Sequence, residues 1–71
     1  MNRVLLEDHL AATERALAEV EHHIAHQREF VALLRHDGHD AAQATWLLNQ
    51  FEEVLAMHLA ARNRARRALG L

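Results

Sequence analysis

His22, His23 and His26 form an H-H-x-x-H stretch in a chain of 71 residues that carries seven histidines. On a helix, His22 and His26 lie one turn apart on the same face, a separation at which two imidazoles can share a transition-metal ion. Adding Glu19 gives Glu19-Val20-Glu21-His22, the E-x-x-H spacing of di-iron carboxylate bundles. Those centres need a second E-x-x-H and further inward glutamates, and the C-terminal half contains no E-x-x-H. By the heptad count below, Glu19, His22 and His26 also project away from the apolar seam, so a buried metal centre is not expected. His22 and His26 are left as candidate ligands of a surface Zn, Ni or Cu site. His36, Asp37, His39 and Asp40 crowd one turn and are a lesser ligand set.

Protonation is the other chemistry that histidine offers. Seven added protons would carry the formal charge from -2 to +5, an inversion over mildly acidic pH. Catalysis has little to work with. Cysteine and serine are absent, Thr13 and Thr45 are the only hydroxyl side chains, and neither has an activating neighbour in the pattern. The absence of cysteine also removes disulfides, thiolate zinc and iron-sulfur sites. The expectation is a protein that is not an enzyme and holds no cofactor.

What positions these side chains is read from the one interruption in the helical pattern, His36-Asp37-Gly38-His39-Asp40. Gly38 is one of two glycines and the chain has no proline. Glycine takes up the left-handed conformation that ends a helix at little steric cost, so Gly38 is placed just past a helix end. Asp40-Ala41-Ala42-Gln43 then has the form of a capping box, an acceptor followed three residues later by Glu or Gln. A connection this short turns two helices back antiparallel. The expected architecture is all-α, a single domain over residues 1–71: helix 1 over about 3–35, a turn at 36–39 and helix 2 over about 40–69.

In the first helix, Leu6, Leu10, Thr13, Leu17, Val20, Ile24, Gln27, Val31 and Leu34 alternate in steps of four and three. That is a heptad seam. Ala11, Ala18, Ala25 and Ala32 form a shoulder on the side that carries Glu7, Glu14, Glu21 and Arg28. A seam with a small-residue shoulder suits a helix that touches two neighbours, as in a four-helix bundle. Thr13 and Gln27 interrupt the seam, either to fix register or to meet water at an open edge.

In the second helix, Ala44, Leu47, Leu48, Phe51, Val54, Leu55, Leu59 and Ala65 occupy one broad arc, with His58 and Arg62 near its middle. Folding back about Gly38 brings Val31 level with Thr45, Ile24 with Phe51, Leu17 with His58 or Leu59, and Thr13 with Arg62. The expectation is a polar network of Thr13, Glu14, His58 and Arg62, in which Glu14 pairs with Arg62 and His58 bonds a hydroxyl or carboxylate. The same arithmetic brings Phe30 and Trp46 together near the turn.

The four arginines of Arg62-Asn63-Arg64-Ala65-Arg66-Arg67 complement the C-terminal helix dipole and spread around the helix. With a net charge of -2 and no aromatic interleaving, nucleic-acid binding through this tail stands as a second alternative function behind metal binding. All eight basic residues are arginine. Neither a signal-peptide core nor a stretch of membrane-spanning length is present, which leads to an expectation of a cytoplasmic protein with no membrane partner.

The run Ile24-Ala25-His26-Gln27-Arg28-Glu29, the turn Asp37-Gly38-His39-Asp40, the segment Leu47-Leu48-Asn49-Gln50-Phe51-Glu52-Glu53 and the spacing of His58 to Arg62 resemble a group of short uncharacterised bacterial helical-hairpin proteins. The resemblance covers most of the chain and implies a helical hairpin; it implies no activity. At 71 residues and 51% apolar composition, a lone hairpin leaves much apolar surface wet, and without disulfides the remaining staple is assembly. The expected partner is a second copy, with Leu10, Leu17, Ile24, Phe51 and Leu55 carrying the self-association of a homodimeric four-helix bundle. The functional expectation is a small interaction or scaffold module.

Overall fold

The structure is a computed structural model that describes residues 2–71. It consists of two helices, α1 (Arg3–His36) and α2 (Ala42–Ala68), packed against each other. They run antiparallel: Arg35 reaches Thr45 beside the turn, while Arg28, two turns further back, reaches Glu52. No strand occurs among the described residues.

Both ends of α1 are closed by the residues that precede and follow it. Asn2 is extended, and its side-chain oxygen accepts from the Val4 N–H at 2.7 Å, a cap that the heptad pattern does not reveal. At the other end Gly38 adopts φ +76°. The His39 N–H donates to the Leu34 carbonyl at 2.8 Å and the Gly38 N–H to the Arg35 carbonyl at 3.2 Å, the paired bonds of a Schellman motif. The motif is repeated at the end of α2. There Gly70 has φ +80°, Leu71 N–H bonds the Arg66 carbonyl and Gly70 N–H bonds the Arg67 carbonyl.

The start of α2 departs from the expected frame. The first helical bond runs from the Thr45 N–H to the Ala41 carbonyl, so the helix begins at Ala42 and not at Asp40. Asp40 still satisfies a free donor of the first turn, its Oδ1 accepting from the Ala42 N–H at 2.9 Å. Among the described residues Gln43 returns no bond to Asp40, so the capping box is half made. The N-cap position of α2 falls one residue later than expected, on Ala41.

The seam of α1 is its buried face. Thr13, Leu17, Ile24 and Val31 are buried, and Leu6, Leu10, Val20, Gln27 and Leu34 are half-buried. Opposite them, Ala44, Leu48, Phe51, Leu55, His58, Arg62, Ala65 and Leu69 repeat the four-three alternation along α2 and are buried or half-buried throughout. Two such seams pack against each other along the antiparallel pair. The molecule measures 53 × 15 × 14 Å with a radius of gyration of 16.1 Å. A compact domain of this length would have a radius of about 11 Å. No helix among the described residues is long and apolar enough to cross a membrane.

Candidate interaction surface

An antiparallel pair of heptad helices has two flanks, and here they differ sharply. On one flank α1 presents Glu7, Glu14, Glu21, Arg28 and Arg35, and α2 presents Thr45, Glu52, Leu59 and Arg66. Arg28 Nη2 meets Glu52 Oε1 at 3.4 Å and Arg35 Nη2 donates to Thr45 Oγ1 at 3.4 Å. Both contacts are solvent-exposed, where an ion pair contributes about 0–1 kcal/mol. This flank is polar.

The opposite flank is the more apolar one, interrupted by His9, Glu19, His23, His26, Gln43, Gln50 and Arg64. At its heptad positions α1 places Leu5, Ala12, Ala16, Phe30 and Leu33, and α2 places Leu47, Val54, Met57, Ala61 and Ala68. Phe30 is 51% exposed, Leu33 61% and Met57 68%, and Leu5, Leu47 and Val54 are exposed as well. Towards the open end of the hairpin the small side chains Ala12, Ala16 and Ala61 leave a shallow hollow, completed by His9, Thr13 and His58. Midway along, the His23 ring stacks on Phe51 with centroids 5.8 Å apart. Apart from the histidines, the titratable groups at these positions are Glu19 and Arg64, one of each sign.

The Thr13, Glu14, His58, Arg62 layer is assembled differently from the expected network. Thr13 Oγ1 donates to the carbonyl of His9 in its own helix at 2.9 Å, which satisfies the buried hydroxyl without a partner from α2. Arg62 donates from Nε and Nη2 to Asn63 Oδ1 at 3.3 and 3.0 Å. Glu14 lies on the charged flank while Arg62 lies in the seam. By the relation that joins Arg28 to Glu52, the residue of α2 facing Glu14 is Arg66. Among the described residues His58 makes no side-chain hydrogen bond, and no buried side-chain nitrogen or oxygen is left without a partner.

Gln27 supplies the polar tie that does cross the core. Its Nε2 donates to the Ala44 carbonyl at 2.9 Å from a half-buried position. Of the residues expected to carry self-association, Leu17 and Ile24 are buried, and Leu10, Phe51 and Leu55 are half-buried, inside the single hairpin. Their apolar area is mostly spent within one chain. The aromatic pair also separates: Phe30 lies on the apolar flank, while Trp46, 62% exposed, borders a hollow on the other side of the turn with Arg35, His39 and Thr45.

His22 and His26 do approach each other, with ring centroids 4.4 Å apart and edge to face. Among the described residues no group of three or more His, Cys, Asp or Glu side chains is arranged to hold a metal ion. Gly38 and Asp40 are structural, closing α1 and opening α2 as described above. No protein-family model, curated protein or solved structure matches the chain.

Proposed function

We propose that this chain is a non-enzymatic, self-associating helical hairpin, a homodimer that forms a four-helix bundle and serves as a small interaction or scaffold module in the cytoplasm. What supports the reading is its surface. The hairpin exposes 5269 Å², whereas a compact monomer of 8.1 kDa exposes about 4500 Å². The surplus is roughly the 800 Å² that one partner buries in a standard protein interface. The core points the same way: no large side chain among the described residues is fully buried. Two helices make one layer of contact, and a second hairpin would turn that layer into an enclosed core.

Multi-angle light scattering on the full chain tests the proposal. A mass near twice 8.1 kDa at micromolar concentration is the expected result. A chain that stays at 8.1 kDa and still unfolds cooperatively at that concentration would remove the reading.

A further inference from the structure

We infer that the two copies meet through the apolar flank, with Phe30, Leu33, Leu47, Val54 and Met57 as the contact, and not through the alanine shoulder of α1. The inference rests on the self-association reading and adds which face is used. Among the described residues, six of the nine exposed large apolar side chains, Leu5, Phe30, Leu33, Leu47, Val54 and Met57, belong to this flank. The alanine shoulder lies beyond Glu7, Glu14, Glu21, Arg28 and Arg35. A partner arriving there would have to desolvate this charged row together with Glu52 and Arg66, a cost that the apolar flank does not impose.

The occupant that fits is a second copy. The flank's large apolar side chains gather in the half nearer the turn, at Phe30, Leu33, Leu47, Val54 and Met57, and Ala12, Ala16, Ala61, Ala68 and Leu5 continue it toward the open end between polar positions. One whole face of the 53 × 15 × 14 Å hairpin presents on the order of 800 Å², the area one partner of a stable complex contributes. A second hairpin of equal length covers that face in an isologous two-fold contact with the apolar patches of both copies inside it. Glu19 and Arg64 make the strip's formal charge zero apart from its histidines, so two copies can approach without net repulsion.

The experiment compares substitutions that the single hairpin tolerates. Leu33→Glu combined with Met57→Glu changes two exposed side chains of the flank; Trp46→Glu and Ala25→Glu change exposed positions elsewhere. Sedimentation equilibrium of the full-length variants should show the dissociation constant raised about a hundredfold or more by the double change. Each control should move it by less than about threefold. A second readout leaves the fold intact. Because the chain has no cysteine, Leu33→Cys, Met57→Cys and Trp46→Cys each give one thiol to label with maleimide. Above the dissociation constant Cys labelling should be slow for the Leu33 and Met57 variants and fast for the Trp46 variant, and dilution should abolish the difference.

A dimer that survives the double change, or that is lost equally in the controls, overturns the face assignment while leaving self-association standing. So does equal labelling at all three sites in a chain of dimer mass. A wild-type chain that is monomeric at micromolar concentration overturns both.

Discussion

Gln27 in the C-terminal half of α1 and Ala44 in the first turn of α2 are joined by a side-chain-to-carbonyl hydrogen bond of 2.9 Å. Among the described residues it is the one half-buried hydrogen bond between the helices. The apolar seams are compatible with sliding by a heptad, since Leu, Val and Ile recur at the same spacing; the Gln27 bond adds a polar tie in the register observed. A hydrogen bond of this type contributes about 0.5–1.5 kcal/mol net.

Gln27→Ala should therefore lower the unfolding free energy by roughly 1 kcal/mol. Gln27→Leu should lie within about 1 kcal/mol of wild type, because added apolar burial offsets the lost bond. Urea unfolding of both variants checks the pair. A Gln27→Leu chain destabilised as strongly as a core truncation would show that the bond, and not the seam, dominates this layer.

Gly38 gives the second prediction. At φ +76° a side chain is strained whatever space surrounds it, and here a Cβ would meet nothing within 4 Å. The cost of Gly38→Val is then conformational, about 1–2 kcal/mol or somewhat more for a β-branched residue. Gly70→Val carries the same local strain at φ +80° but closes the C-terminal end of α2 and not the link between the helices, so the last turn can fray without separating them. Thermal unfolding should rank Gly38→Val well below Gly70→Val. Equal losses would mean that the C-terminal motif is as firmly held as the turn, which the Leu69 contact with the core would then have to explain.

These two sites also mark how far the residues themselves announce the fold. Gly38 is legible because it is an isolated breaker between two long periodic stretches, and the α1 seam is legible because nine positions keep one alternation. Partners of polar groups are not legible in the same way. Gln27 bonds a backbone carbonyl and Thr13 bonds its own helix, acceptors that every residue carries and no residue type reveals. Fold-back arithmetic about Gly38 misses the register by part of a turn and gives no flank. By the relation that joins Arg28 to Glu52, Glu14 faces Arg66 and not Arg62, and Phe30 and Trp46 lie on different sides. The apolar flank is visible in the positions of Phe30, Leu33, Leu47, Val54 and Met57 once the flanks are told apart, and the contacts of Arg28 with Glu52 and Arg35 with Thr45 supply that distinction.

Core charge is the third test. Leu17 and Ile24 are among the most buried side chains in the hairpin, at 6% and 3% exposure. Leu17→Asp or Ile24→Asp places a carboxylate in the seam with no partner, and a loss of about 3–5 kcal/mol or more is expected. Helical circular dichroism and assembly should disappear together. Ala25→Asp, one residue along on the exposed shoulder, should cost no more than about 1 kcal/mol, the helix-propensity difference between Ala and Asp. A folded Ile24→Asp monomer of wild-type stability would contradict the placement of the seam.

Acidification is the fourth. His9 and His23 lie on the apolar flank, His26 beside them, and His58 faces the hollow between Ala12, Ala16 and Ala61. Against them stand Glu19 on α1 and Arg64 on α2, which cancel, so each proton taken up on this side adds uncompensated positive charge. In a dimer joined through this flank the added charges of both copies face each other, and the sign is fixed: protonation favours separation. The dissociation constant should therefore rise as the solution is made acidic. His9→Gln with His23→Gln should flatten that dependence, whereas His36→Gln, exposed at the turn, should not. Chelator should leave the neutral-pH dimer unchanged, which separates this electrostatic route from a metal bridge at His22 and His26. Assembly that tightens in acid, or that ignores the His9 and His23 substitutions, would place the interface away from these imidazoles.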